Sequence, residues 1–283
     1  MAGAGRIKRK FRELRARGEA ALIPFIVAGD PDMDTTRRLV LELEARGADL
    51  IELGVPFSDP MADGPANQRA LARGLGAGAS LAAILSMVSE LRAQTQIPLI
   101  LFGYYNPIFH YGCERLCADA ARAGIDGMLV VDLPPEEAGE LKRPARANGL
   151  DIIYLLAPTT PLDRSRAIAR SASGFLYYVS LTGVTGARAQ LDAGIAEHMR
   201  EIRSVTDLPI GVGFGISTPE QAGEVATMAD AVVVGSAISL LVEAHAKSGD
   251  VPAAVGELVA AMKDAMKAAR RTERTQPAEN SDG

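Results

Sequence analysis

Short apolar runs rich in leucine, isoleucine and valine recur along this chain, separated by stretches whose apolar positions repeat every three or four residues. The short runs predict strands over Ala21–Val27, Asp49–Leu53, Leu99–Phe102, Gly127–Val131, Ile152–Leu156, Phe175–Val179, Ile210–Gly213 and Ala231–Val234. The periodic stretches predict helices over Asp34–Arg46, Leu81–Ala93, Glu114–Ala123, Pro135–Asn148, Leu162–Ser171, Ala193–Ser204, Pro219–Met228 and Ser236–Ala246. Strands alternating with helices imply a parallel α/β sheet. Strands that are apolar without alternation are buried on both faces, which favours a closed (β/α)8 TIM barrel over an open sheet. A doubly wound sheet is the other reading, but no Gly-x-Gly-x-x-Gly follows the first strand.

The ends extend that pattern. Ile7, Phe11 and Leu14 share one face of a helix over Ile7–Arg17, an extra N-terminal element. Val255, Leu258, Val259, Met262 and Met266 make a one-faced C-terminal helix over Val251–Arg270, expected on the outside of the barrel. The reading is therefore one catalytic domain over 1–270 and a polar tail over 271–283, expected to be disordered. The "RGAD", "AGID" and "MAD" segments before strands two, four and eight read as helix C-caps.

Composition narrows the partners. Hydrophobic residues at 48% and charged residues at 23% suit a globular domain with a large core. The net charge of −5 argues against nucleic acid or an anionic membrane as the main partner. No stretch reaches the 18 or so apolar residues of a membrane span. The basic N-terminus lacks the apolar core of a signal peptide, and Glu13 and Glu19 interrupt a transit-peptide pattern. Cys113 and Cys117 are four apart on a helix, so they read as free thiols in a reducing cytoplasm. They supply too few ligands for a metal site.

Chemistry is expected where barrel strands end, in the loops that follow. There the stretch "IELGVPFSDPMADGP" over 51–65 sets several acids around a short apolar run. Side chains alternate along a strand, so Leu50 and Glu52 share one face while Ile51 and Leu53 share the other. A carboxylate closing an apolar strand is costly unless paired with an arginine or amides, or used in catalysis. Asp63 follows in a loop able to fold back over the strand end, so the two acids could divide proton transfer and substrate orientation. Asp59, Asp30 and Asp32 read as turn formers.

A second cluster lies at strands six to eight, where "SLTGVTGAR", "GVGFGIS" and "VVVGSAIS" each place glycine just past a strand end. The last two run into helices whose first N–H groups lack partners, which suits a phosphorylated substrate, with Ser236 as an added donor. No Gly-x4-Gly-Lys-Ser/Thr is present, so a nucleoside triphosphate is not indicated. His110, His198 and His245 are too scattered for a catalytic set, and no lysine ends a strand as a Schiff-base aldolase would need.

The segments "IPFIVAGDP", "ELGVPFSDPMADGP", "YYVSLTGVTGAR", "GVGFGIS" and "ADAVVVGSAI" together resemble the tryptophan synthase alpha chain, in the same order and spacing from Phe11 to Met266. The resemblance implies an aldol lyase that cleaves indole-3-glycerol phosphate to indole and glyceraldehyde 3-phosphate. It implies Glu52 as proton shuttle and Asp63 as holder of the indole N–H. Thr185 is implied to close the loop after strand six on to Asp63. Gly186, Gly215, Gly235 and Ser236 are implied to seat the phosphate, and Phe25, Tyr104, Tyr177 and Phe214 to line the indole pocket.

The resemblance further implies no cofactor in this chain, pyridoxal phosphate belonging to a beta chain docked in an αββα assembly. Asp59, Pro60, Asn106, Pro107, Asp132 and Pro134 are implied to lie at that interface. Met61 and Leu181 depart from the commoner family pattern, Leu181 within the loop after strand six. Three other readings stay open. One is a freestanding lyase with the same catalytic residues, another a chiefly activating and docking subunit. The third is another phosphate-binding barrel such as indole-glycerol-phosphate synthase, against which the missing strand-end lysines count.

Overall fold

The computed structural model describes residues 5–179, 188–213, 215–247 and 250–275. Eight strands close into a parallel barrel in chain order. They are β1 (Ala21–Val27), β2 (Ile51–Gly54), β3 (Leu99–Gly103), β4 (Gly127–Val130), β5 (Asp151–Leu156), β6 (Leu176–Val179), β7 (Ile210–Gly213) and β8 (Ala231–Val234). Closure comes from β8 pairing with β1, with Ala21 opposite Ala231 and Ile23 opposite Val233.

The period of two sorts the strand residues into two cores. Ala21, Ile23, Leu50, Ile100, Leu129, Ile153, Phe175 and Val233 fill the barrel, while Ile51, Leu53, Leu99 and Leu101 pack outward under the helices. Leu50 and Ile51 therefore face opposite ways, as their alternation predicts. Helix α1 (Arg6–Arg17) plugs the N-terminal end, driving Ile7, Phe11 and Leu14 into the inner core, with the Phe11 ring 5.6 Å from that of Phe175.

The outer layer holds α2 (Met33–Ala45), α3 (Pro65–Gly76), α4 (Leu81–Leu91), α5 (Tyr105–Tyr111), α6 (Cys113–Ala123) and α7 (Gly139–Ala147). It continues with α8 (Leu162–Ser171), α9 (Arg188–Arg203), α10 (Pro219–Met228), α11 (Ser236–His245) and α12 (Val251–Thr275). Two of these are absent from the sequence reading. Helix α3 carries two glycines and follows a proline-rich loop, and α5 is one aromatic "YNPIFHY" segment with Pro107 in its first turn. Helix α7 starts at Gly139 rather than Pro135, and α12 runs to Thr275 rather than stopping at Arg270. Residues 276–283, the rest of the predicted tail, lie outside the described residues.

At the N-terminal face one device recurs. Asp49, Asp126 and Asp230, just before β2, β4 and β8, each accept an N–H at the start of the preceding odd-numbered strand: Leu22 at 2.9 Å, Leu99 at 2.9 Å and Ile210 at 3.0 Å. Each aspartate also has a cation: Lys263 at 2.7 Å on Asp49, Arg6 at 2.8 Å and Arg92 at 3.1 Å on Asp126, and Arg203 at 3.0 Å on Asp230. Gly47 and Gly124 take the left-handed conformation expected of C-caps, whereas "MAD" turns without a glycine. The aspartates in these segments are thus strand clamps as much as punctuation. Cys113 and Cys117 are free and buried on α6.

Candidate active site

The C-terminal mouth of the barrel opens into a cavity of about 890 Å³, counting the space that communicates with solvent. Glu52 and Asp63 both line it, as do Phe25, Tyr177, Gly215, Gly235 and Ser236. The two clusters picked out in the sequence, acids at one rim and glycines at the other, therefore converge on one space.

Glu52 sits in β2 between Phe25 of β1 and Ile100 of β3, with its side chain on the inner face. It is fully buried, and neither carboxylate oxygen accepts a hydrogen bond from a described residue. Among the described residues there is no arginine or amide partner of the kind a structural glutamate would need. Burial alone pushes its carboxyl up to about 8. At neutral pH such a group is mostly protonated with a minor ionised fraction, so it can give a proton and then take one back.

Asp63 is held on both oxygens. Oδ2 accepts the Tyr104 hydroxyl at 2.6 Å and Oδ1 accepts the Asn67 amide at 3.4 Å. The Tyr104 oxygen in turn accepts the Ala62 N–H at 3.0 Å, fixing the loop to β3's end. Burial raises the Asp63 carboxyl, and the Tyr104 and Asn67 bonds pull it back down. Tyr104 thus acts on the site through its hydroxyl, its ring packing against Phe57 at 5.1 Å instead of lining the cavity.

An aromatic wall lies between the two rims. Phe25 and Phe102 meet edge to face at 4.9 Å, and Phe102 lies 6.5 Å from Tyr177. Tyr177 leans over β7 so closely that a side chain on Gly213 would fall on its hydroxyl oxygen. Burial and the two acids together hold the Tyr177 phenol well above its ordinary range, so it stays protonated. Val131, Leu155 and Val233 complete the apolar lining.

The glycine rim is narrower than the sequence suggested. Helix α10 closes its own N-terminus with a capping box. The Thr218 hydroxyl accepts the Gln221 N–H, and the Gln221 side chain accepts the N–H groups of Ser217 and Thr218. Helix α11 does not: Gly235 at its N-cap makes no side-chain cap bond, and the first helical bond there is Ser239 N–H to the Gly235 carbonyl. The N–H groups at Ser236 to Ile238 precede that bond and are left for an anion. Gly215 contributes by adopting a left-handed φ of 78°, which turns the chain after β7 toward the cavity. Among the described residues no lysine or arginine lines this space, where helix amides and hydroxyls are the anion donors.

The sequence reading missed Asn67, on a helix it did not predict, and Phe102. The latter was recoverable from alternation, as the last residue of β3 facing inward with Ile100. Thr185, Gly186 and Phe214, and the departure at Leu181, lie outside the described residues. Asp32 is the N-cap of α2, accepting the Thr35 N–H at 2.7 Å. Asp30 is no simple turn former, because it is buried in a two-pronged ion pair with Arg73 at 2.7 and 2.8 Å. Asp59, Asn106, Asp132 and Pro134 are exposed around the mouth, with Pro60 and Pro107 half-buried. Beside them Met61 and Phe109 are 91% and 58% exposed, a large apolar display for a rim. Among the described residues no three His, Cys, Asp or Glu side chains gather as a metal site, and no single helix is long and apolar enough to cross a membrane.

A closed parallel barrel with a buried glutamate and a clamped aspartate at one rim and an open helix N-terminus at the other defines a barrel enzyme for a phosphorylated substrate. A family model for the tryptophan synthase alpha chain matches residues 11–269. The chain is 56% identical over 258 residues to the tryptophan synthase alpha chain of Citrifermentans bemidjiense, covering 91% of this chain and 96% of that one. It is 55% identical over 258 residues to that of Geobacter sp. strain M21, with the same coverage of 91% and 96%. The crystal structure of the alpha subunit from Legionella pneumophila superposes with a TM-score of 0.86 at 41% identity, over 93% of this chain and 98% of that one. The chain belongs to the tryptophan synthase alpha chain family, the lyase subunit that cleaves indole-3-glycerol phosphate.

Proposed function

We propose that Glu52 is the proton shuttle of this cleavage and Asp63 the anchor of the indole N–H. Breaking the bond between indole C3 and the glycerol chain needs a proton added at C3 and a proton removed from the adjacent hydroxyl. The bonding pair then returns to the ring as the hydroxyl carbon becomes the aldehyde of glyceraldehyde 3-phosphate. Glu52 serves both steps in turn, as acid toward C3 and as base toward the hydroxyl. Its pKa of about 8 supports this, because at neutral pH the group starts mostly as the acid that C3 needs and, once it has given up its proton, is a base strong enough to take the hydroxyl proton. Positive charge develops on the ring nitrogen when C3 is protonated, and the Asp63 carboxylate offsets it.

The ring lies against Phe25, Phe102 and Tyr177, and the phosphate rests on Gly215, Gly235 and Ser236 at the start of α11. Thr185, Gly186 and Phe214 keep the roles that the family resemblance gives them. Residues 1–270 act as one catalytic domain. The chemistry is proton transfer with charge stabilisation, so it calls for no cofactor or electron sink in this chain.

The observation that carries the reading is Glu52, buried and without a hydrogen-bonding partner among the described residues, at a strand end that faces the cavity. A subunit that only docked and activated would gain nothing from it. Docking belongs to the reading all the same: a beta chain carrying pyridoxal phosphate covers the rim at Asp59–Pro60, Asn106–Pro107 and Asp132–Pro134 in an αββα assembly. The exposure of Met61 and Phe109 on the same rim supports this. Cytoplasmic residence fits two cysteines that remain free.

The test is indole release from indole-3-glycerol phosphate by wild type and Glu52→Gln, each with and without a beta chain. The expected result is cleavage by wild type, acceleration by the partner, and a loss of about 10²–10⁴-fold in the folded variant. A variant that keeps most of its rate would sink the proton-shuttle role. A wild type that is fast alone and ignores the beta chain would be a freestanding lyase.

A further inference from the structure

We propose that Asn67 is a positioning residue for Asp63, and that through Ser239 it ties the indole-side acid to the phosphate-side helix. The inference rests on the assignment of Asp63 made above. Three side chains form one directed chain. The Ser239 hydroxyl of α11 donates to Asn67 Oδ1 at 2.9 Å, and Asn67 Nδ2 donates onward to Asp63 Oδ1 at 3.4 Å. The direction is set by chemistry. A carboxylate only accepts, so the amide must present nitrogen to Asp63, which leaves its oxygen for the Ser239 proton. With Tyr104 donating to Oδ2 at 2.6 Å from the β3 side, the carboxylate is clamped from two elements and its plane is set.

Asn67 also lies beside the anion cradle. Its Nδ2 is 3.7 Å from where a side chain on Gly235 would begin, and Asn67 and Gly235 line the same cavity. The seam between α3 and α11 is reinforced further along by Arg69 to Glu243 at 2.7 Å and Arg73 to Glu243 at 3.1 Å. Helix α3 is thereby fastened to α11 by an ion-pair cluster at one end and by Asn67 and Ser239 at the other. An anion drawing on the α11 N-terminus acts on the same helix that orients Asp63. Asn67 itself need not touch the substrate.

The experiment measures kcat, KM and the pH profile of indole-3-glycerol phosphate cleavage for Asn67→Ala, Asn67→Asp, Ser239→Ala and Asp63→Asn, beside thermal unfolding of each. Asn67→Ala should lower kcat on the order of tenfold with KM changed less than about threefold, the size expected for losing one hydrogen bond to a charged group. Its acidic limb should move to higher pH, because Asp63 loses a donor that favours its ionised form. Asn67→Asp should lose more than Asn67→Ala, since it sets a second carboxylate against the first. Ser239→Ala should lose less, in the same direction. Wild-type kcat and an unmoved acidic limb in Asn67→Ala, whatever its melting temperature, would overturn the proposal. So would equal losses in Asn67→Ala and Asn67→Asp. Should Asn67→Ala not fold, the pH profile of Ser239→Ala decides. A fully active Asp63→Asn would instead remove the role given to Asp63, and the two failures are separate.

Discussion

The two ends of this barrel treat buried acids in opposite ways. At the N-terminal face Asp126 is buried, yet it accepts the Leu99 N–H and two guanidiniums, so burial is opposed by three donors. At the C-terminal end Glu52 is buried as deeply, and among the described residues no donor opposes that burial. An acid that closes the fold is surrounded by donors that oppose its burial, although burial still leaves the Asp126 carboxyl above its ordinary value. An acid that must exchange protons is left without them, so that its pKa rises into the working range. The difference separates a stability face from a chemical face within one barrel.

The strongest way to break this comparison is Glu52→Gln, read for stability as well as for rate. The Glu52 carboxyl lies at about 8 in the fold against 4.5 for an ordinary glutamate. Its contribution is therefore fully present below pH 4.5 and is lost as pH rises through about 8. A gap of that size corresponds to on the order of 5 kcal/mol once the pH is above both values. Urea denaturation at pH 5 and pH 9 should show Glu52→Gln gaining on wild type at the higher pH, while its cleavage rate falls about 10²–10⁴-fold. Equal differences at both pH values would mean that Glu52 ionises freely.

Asp126→Ala should do the reverse, destabilising by about 3–5 kcal/mol because it leaves buried Arg6 without its carboxylate. Its kcat, measured on the folded fraction, should stay near wild type. A stable but inactive Asp126→Ala would erase the division between the faces. Gly213→Ala sharpens the picture at the mouth. The added methyl meets the Tyr177 hydroxyl, and displacing that ring should cost about 1–3 kcal/mol and raise KM more than it lowers kcat. The smallest effect is expected at Asp32→Ala. Losing the α2 cap should cost about 1 kcal/mol in thermal or urea unfolding and leave the kinetics alone.

Most strands were legible because each is a continuous apolar run in a barrel buried on both faces: β1, β7 and β8 begin and end where the pattern puts them. Helices with a full apolar face were equally plain, α8 and α10 to the residue. Helix α3 was not, since its "PANQRALARGLG" has helix-breaking residues at both ends and takes its stability from contacts with α11 that local sequence does not display. Asn67 was hidden with it. Glu52 stood out because a carboxylate interrupts an apolar strand, but that no described residue partners it is visible only in three dimensions. Asp30 read as a turn residue because its partner, Arg73, lies 43 positions away.

Periodicity by itself pointed to a parallel barrel, put Glu52 on one face with Leu50 and placed the acids and glycines at strand ends, because these follow from a local repeat of two or 3.6 residues. The motifs determined the family, because a specific order of strand-end residues is a property of the chain. Tertiary structure alone decided which acids are compensated, that α11 rather than α10 keeps its N-terminus open, and that α3 joins Asp63 to the anion cradle. Each of those depends on whether a donor from a distant segment arrives within about 3 Å, and hydrogen bonding at that range is set by how the closed barrel brings its loops together.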